Sequence, residues 1–265
     1  IDLPLFQDYK VLPERTVKIK QHQDNIEFAA MVESMDESLG RIVDHVDQLG
    51  LTDSTLIVFF SDNGGMSGAN FGGASRVVDP SRLDSAYSTS NLPLRGAKGW
   101  LYEGGIRVPM IVKWPEKFSD SSLIVEEPVI STDFYPSLLE MAGLPARDEQ
   151  ALDGVSFVPA LNGELFNRGP IFWHFPQYSN HGMQSPGGAV RFGDYKLLEY
   201  FENNTVQLFN LREDIGERND LSQTEPVIRE ELRGLLRSWR QDVNAQMPAR
   251  TPDYDPSQYP HTGLL

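Results

Sequence analysis

The chain contains no cysteine in 265 residues, which excludes disulfides and thiolate metal centres. That absence does not place the protein, because a cysteine-free chain folds equally well in reducing and oxidising compartments. Positive charge is scarce: 23 Lys and Arg stand against 38 Asp and Glu, a formal net charge of −15. So acidic a balance repels nucleic acid and anionic lipid at long range, and neither is an expected partner. It repels anionic substrates too, so any sulfate or phosphate site must rest on local cations. No apolar run nears the roughly 20 residues of a membrane-spanning helix, and membrane insertion is not expected. The opening residues, Ile1-Asp2-Leu3-Pro4, carry neither a methionine nor a signal peptide, as expected of a processed or excised piece. What remains is ordinary globular material, 40% hydrophobic and 23% charged, long enough for one large domain or a domain with an appendage.

Residues 1–23 mix prolines and scattered charge and read as an irregular lead-in. Asp24, with Glu27 three positions on, has the pattern of a capping box opening a helix. Phe28, Val32, Met35, Leu39, Ile42, Val46 and Leu49 trace its apolar face, and Gly50 ends it. Thr55 to Phe60 is apolar without alternation, as expected of a central strand covered on both faces. Residues 64–93 read as one long loop. Val108 to Trp114 returns to a strand, with Pro109 near its start. Ser131 to Gly143 forms a short helix with Leu138, Leu139 and Met141 facing inward. Beyond about residue 150 the pattern changes to short antiparallel strands: Ala189 to Phe192, Tyr195 to Phe201 and Thr205 to Leu211. Pro226 then opens a last helix whose stripe is Leu232, Leu235, Leu236, Trp239 and Val243, followed by a proline-rich tail expected to wrap the surface. The order is α/β over residues 1–150 and a small α+β subdomain over residues 151–265.

Two segments carry chemistry. Ser61-Asp62-Asn63-Gly64 follows the apolar strand directly, at the carboxyl end where open α/β sheets collect ligands. Asp62 and Asn63 offer hard oxygen donors of the kind Ca²⁺ or Mg²⁺ takes. Alone the pair is equally a hairpin turn, for Asn-Gly favours one, although Gly65 to Gly73 does not continue as an alternating strand. In Leu94-Arg95-Gly96-Ala97-Lys98-Gly99-Trp100-Leu101, a lysine sits among small residues that leave room for an anion to approach, with Leu94, Trp100 and Leu101 limiting solvent. A metal and an ammonium aimed at one tetraoxyanion suit sulfuryl or phosphoryl transfer. Glu103 and Arg107, four apart, read as an ion pair bracing the glycine turn. A third cluster, Trp173-His174-Phe175-Pro176 with Tyr178 and His181, suits either a sugar pocket or a packed junction. Arg191 stands on a strand, facing either that cleft or open solvent.

Together these stretches resemble the sulfatase family of the alkaline-phosphatase superfamily. The resemblance rests on Phe60-Ser61-Asp62-Asn63-Gly64-Gly65, on Leu94 to Gly99, and on Tyr102-Glu103-Gly104-Gly105-Ile106-Arg107-Val108-Pro109. Ser131 to Leu139 and Gly193-Asp194-Tyr195-Lys196-Leu197 look like later landmarks of the family. It implies an α/β alkaline-phosphatase-like sandwich with a mixed central sheet, then a small α+β subdomain with an antiparallel sheet. Asp62 and Asn63 would be two ligands of Ca²⁺ (or Mg²⁺), and Lys98 the catalytic residue touching sulfate. His174, His181 and Arg191 are further candidates for substrate contact. The 36 positions separating Asp62 from Lys98 suggest a loop insertion.

The departures are as telling. The family's nucleophile is a formylglycine made within a Cys/Ser-x-Pro-x-Arg segment, and no such segment stands in this sequence. The paired aspartates that complete the metal site, an upstream lysine and a His-Thr-Pro-like segment are missing as well. All belong before the helix at Asp24. The chain thus resembles the C-terminal portion of a sulfatase, expected to be inactive alone and to need the N-terminal portion of the same domain as its partner. In the complete enzyme the resemblance implies attack by a hydrated aldehyde on sulfur, departure of the ester oxygen and collapse of the sulfated hemiacetal. The substrate would be a sulfated small molecule or sulfated glycan, and the setting periplasmic or secreted. Two rivals stay open: a phosphatase or phosphonate hydrolase of the same superfamily, and a non-catalytic calcium-stabilised carbohydrate-binding protein.

Overall fold

A computed structural model describes residues 5–7, 16–18, 23–66, 89–118, 123–145, 149–177, 184–201 and 204–249. His181, most of the loop 64–93 and the tail from residue 250 lie outside the described residues. The chain packs as two compact units, one formed by residues 1–116 with 172–265 and the other by residues 117–171. These cuts differ from the division expected at residue 150. The physical reason is a shared core. Ala97, Trp100, Leu101 and Tyr102 pack with Ala189, Leu198, Tyr200, Phe209 and Leu211, binding the late sheet to the first half of the chain.

The lead-in is not wholly irregular: β1 (Leu5–Gln7) pairs antiparallel with β2 (Thr16–Lys18). Helix α1 spans Ile26–Gln48. Its cap is Asn25 rather than Asp24, the Asn25 side chain accepting the Phe28 N–H at 3.0 Å. The expected apolar stripe is present, yet no residue of α1 is buried, and Met31, Met35 and Ile42 are 63%, 49% and 58% exposed. Strand β3 (Ile57–Phe60) pairs antiparallel with β4 (Met110–Lys113), Phe60 opposite Met110. Coverage of β3 on both faces, expected from its unbroken apolar run, is not seen among the described residues; Phe60 is 45% exposed.

Between β3 and β4 lies the single-turn helix α2 (Glu103–Ile106). In the second unit, a 3₁₀ turn at Ser131–Asp133 leads into α3 (Phe134–Met141), with α4 (Val158–Leu161) following. Asp133 is fully buried there. Its carboxylate accepts the N–H groups of Ile130 and Val155 and pairs with Arg168, while its carbonyl accepts the Ser137 hydroxyl. Leu138, expected inside, is exposed, because the helix turns Ser137 and Met141 inward instead.

The late sheet runs β5 (Ile171–Phe175), β6 (Gly187–Phe192), β7 (Tyr195–Tyr200) and β8 (Val206–Asn210), in that order. Registers β6–β7 and β7–β8 are antiparallel, with a tight turn at Gly193-Asp194. Strand alternation makes the sheet two-sided. Ala189, Leu198, Tyr200 and Phe209 face the Lys98 segment. Val190, Leu197 and Leu208 face Leu232 and Leu236 of α5 (Pro226–Asp242). Val243, expected in that stripe, lies past the helix end and is 46% exposed. Among the described residues no helix is long and apolar enough to cross a membrane.

Candidate active site

The two chemistry-bearing segments are sewn together through their backbones. The Gly64 N–H donates to the Gly105 carbonyl at 3.0 Å, and the Lys98 N–H donates to the Gly65 carbonyl at 3.0 Å. Asn91 completes the seam: its Oδ1 accepts the Gly65 N–H at 3.2 Å, and its Nδ2 donates to the Gly65 carbonyl at 3.0 Å and to the Gly96 carbonyl at 3.4 Å. Asp62 and Asn63 therefore end up a few residues of backbone from Lys98, despite the long intervening loop. Lys98 is half-buried and Asp62 exposed. Asn63 Nδ2 donates to the Gly64 carbonyl at 3.0 Å, which turns the amide oxygen away from that carbonyl.

Gly64 and Gly105 serve this packing. A Cβ on Gly64 would lie 1.7 Å from the Gly104 carbonyl oxygen, and one on Gly105 would lie 2.2 Å from the Trp100 oxygen. Backbone lies directly on backbone, which no side chain permits. Gly96 and Gly99 adopt φ of 77° and 88°, in the left-handed region that favours glycine. Ala97, Trp100 and Leu101, expected to frame the approach of an anion, are buried in the core beneath the loop.

Below this loop sits a buried ion cluster. Lys196, 0% exposed, places Nζ 2.9 Å from Glu103 Oε1 and 2.9 Å from Glu217 Oε1. Glu217 Oε2 accepts the Glu103 N–H at 2.7 Å, satisfying an orphan donor in the first turn of α2. The Glu217 carbonyl accepts Arg95 Nη1 at 2.8 Å, and the Arg95 guanidinium lies 4.1 Å from the centre of the Tyr102 ring. The expected Glu103–Arg107 pair exists at 3.6 Å, and Arg191 approaches the same Oε2 at 4.0 Å. Burial works to push the Glu103 carboxyl up, but Lys196, then Arg191 and Arg107, outweigh it and hold it below the usual range. Glu217 goes the other way: burial raises it against Lys196, and the charge of Glu103 adds to the rise. Of the two carboxyls sharing one ammonium, Glu217 is the one that takes up a proton first.

Sequence reasoning missed Lys196 and Glu217. A signal for Lys196 was present, since it alternates with Leu198 and Tyr200 on a strand apolar on both sides. Arg191 points at Glu103 rather than open solvent, on the Lys98 side of the sheet. His174 stands elsewhere. Its neighbours Trp173 and Phe175 pack on the Lys98-side core, while Phe172 stacks on Trp239 of α5 at 4.9 Å, so alternation turns His174 toward α5. There its Nε2 donates to the Gln246 carbonyl at 2.7 Å and its ring lies beside Phe201. The structure thus joins the Asp62-Asn63 and Lys98 segments and brings Arg191 to the cluster below them. His174 is not brought to them.

Asp62 and Asn63 suit a hard cation in kind but not in number. They supply two oxygen donors where Ca²⁺ takes six to eight, and no group of three or more His, Cys, Asp or Glu able to hold a metal occurs among the described residues.

Comparison with known proteins agrees with this architecture. The sulfatase family model matches residues 7–144, and that of the C-terminal region of N-sulphoglucosamine sulphohydrolase matches residues 97–242. A sulfatase of Formosa agariphila is 32% identical over 241 residues, covering 83% of this chain and 40% of that protein. An N-acetylgalactosamine-6-O-sulfatase of Bacteroides thetaiotaomicron is 27% identical over 219 residues, 77% of this chain and 40% of that protein. The crystal structure of Ps i-CgsB in complex with k-i-k-neocarrahexaose superposes with a TM-score of 0.63 at 29% identity, over 86% of this chain and 45% of that one. The chain therefore spans about two-fifths of the length of these relatives. With its α/β, alkaline-phosphatase-like fold and two matching family models, the chain belongs to the sulfatase family.

Proposed function

We propose that this chain is the C-terminal portion of a hydrolase of sulfate esters, acting on a sulfated carbohydrate, with Lys98 as the cation that touches the sulfate. The observation supporting this reading is the backbone seam from Gly65 to Lys98 and from Gly64 to Gly105, which joins the segment bearing Lys98 to the segment bearing Asp62 and Asn63. An ammonium held on a rigid loop stabilises charge that grows on sulfate oxygens as the ester bond breaks. The buried Lys196 cluster fixes the base of the Lys98 loop, so the loop need not reorganise as that charge develops. Asp62 and Asn63 are read as two ligands of a Ca²⁺ (or Mg²⁺) ion, and the formylglycine nucleophile as belonging to residues outside this chain. The substrate class is that of the N-acetylgalactosamine-6-O-sulfatase and of the carrahexaose-bound Ps i-CgsB among the relatives, and a periplasmic or secreted setting rests on the family alone.

The test is hydrolysis of an aryl sulfate, a sulfated monosaccharide and an aryl phosphate by protein carrying the whole sulfatase domain. Sulfate release should dominate, and Lys98→Ala should lower kcat by about 10²–10³. Faster release of phosphate than sulfate, or full activity in the Lys98→Ala protein, overturns the reading.

A further inference from the structure

On the α5 side of the sheet, away from Lys98, a cavity of about 370 Å³ opens between the start of β8, the segment at Ser222 and the first turns of α5. Its size falls in the range of small-molecule sites, about 300–1,000 Å³. Thr205, Val206, Ser222, Arg229, Glu230 and Arg233 line it together with Asn204 and Gln223, so two guanidiniums share the lining with one carboxylate.

The charge here runs against the rest of the molecule. Arg229, Arg233 and Arg237 recur every fourth residue along α5, with Arg240 beyond them. Glu199 on β7 is shared by three of these guanidiniums: Arg233 Nε at 2.7 Å, Arg240 Nη2, and Arg237 Nη2 at 3.9 Å. Burial works to raise the Glu199 carboxyl, but the hydrogen bonds and charges of Arg240 and Arg233 hold it below the usual range. One carboxylate thus faces three guanidiniums. Glu230 pairs with Arg229 Nε at 2.9 Å, and Arg229 Nη1 donates to the Ser222 carbonyl at 2.6 Å. Both contacts orient Arg229 and leave Nη2 for an anion. Arg233, which lines the cavity, donates Nε to Glu199.

We infer that this cavity is an auxiliary binding site for one acidic sugar unit of a sulfated polysaccharide. Arg229 and Arg233 meet the sulfate, and Asn204, Thr205 and Gln223 meet ring hydroxyls. No aromatic ring lines the cavity among the described residues, which leaves nucleic-acid bases nothing to stack on. The site lies on the opposite face of the sheet from the Lys98 loop; its choice of a sulfated sugar rests on the function proposed above, whereas its geometry does not.

Affinity electrophoresis of the full chain in gels holding dextran sulfate, neutral dextran or a short DNA duplex tests the assignment. Dextran sulfate should retard the chain and neutral dextran should not. Arg229→Gln leaves the Glu199 cluster intact and should weaken retardation several-fold; Arg229→Gln with Arg233→Gln should weaken it about tenfold or more. Lys98→Ala should leave it unchanged, which separates failure of this site from failure of the sulfatase reading. Circular dichroism melts establish that each variant is folded. Absence of retardation, equal retardation by neutral dextran, or retention unaltered in both arginine variants overturns the site. DNA retarding the chain as strongly, with loss in the same variants, overturns the sugar assignment.

Discussion

Replacing Lys196 by Met removes the one ammonium shared by two buried carboxyls. Methionine keeps much of the stem's volume, so the loss is electrical rather than a cavity. Glu103 would keep Arg107 at 3.6 Å and Arg191 at 4.0 Å, while Glu217 would lose its charged partner outright. Removing one member of a buried ion pair costs about 3–5 kcal/mol, which for a chain of this size lowers Tm by roughly 6–20 °C. The loss should vary with pH. Glu103, held low in the fold, contributes stability that is present above the usual carboxylate range and lost as pH falls through its depressed pKa. Glu217, held high, contributes stability that is full below the usual range and lost as pH rises through its elevated pKa. Without Lys196 both carboxyls protonate more readily, so the deficit of the Lys196→Met protein should be largest near neutrality and shrink toward about pH 4. Adding Glu217→Gln should restore part of it, because the glutamine amide oxygen still accepts the Glu103 N–H. Guanidinium unfolding at several pH values reads all three outcomes. Equal midpoints for the parent and Lys196→Met at neutral pH, or a deficit that grows in acid, would refute the reasoning.

Glycine replacements should divide by sign. Gly105→Ala sets a methyl 2.2 Å from the Trp100 carbonyl oxygen and should cost about 3 kcal/mol or more, whereas Gly234→Ala in α5 meets nothing within 4 Å and should stabilise by about 0.5–1 kcal/mol; thermal melts of both proteins decide. The uncovered apolar face of α1 should bind a hydrophobic dye and drive concentration-dependent association of the chain, weakened by Met35→Lys with Ile42→Lys. A monodisperse, dye-silent chain in sedimentation would show that face to be covered in solution.

The elements legible in the sequence are those set by local period. Helix α1, the hairpins of β6–β8 and the Leu232–Leu236 stripe of α5 each declare themselves within a single run of residues. Legible too was the partnership of the Asp62 and Lys98 segments, through the resemblance of both to one family. The structural reason for it was not, because the seam at Asn91, Gly64 and Gly105 is backbone geometry that residue types do not advertise. Coverage of β3 was over-read, since an unbroken apolar run reports what a strand can bury and not what is present to bury it. The buried cluster stayed hidden because its members, Glu103, Lys196 and Glu217, are far apart in the chain and each reads singly as a solvated charge.

If the substrate is anionic, as proposed above, local placement of cations reconciles it with a chain of −15 net charge. A protein with few positive charges handles anions only where it concentrates those charges, and this sheet does so on each face by a different device. On one face buried carboxylates consume cations for structure. Lys196 is held by Glu103 and Glu217, and Arg191 leans on Glu103. What the cluster supplies is a fixed base for the glycine loop that carries Lys98. On the other face the ratio is reversed, with three guanidiniums drawn to Glu199 alone, and attraction to anions survives the pairing. Long-range repulsion from the acidic surface then works as a filter. On the two proposals above, a polyanion lacking groups that fit either place would meet mainly negative charge, whereas one presenting a sulfate at the right spacing would meet cations at both.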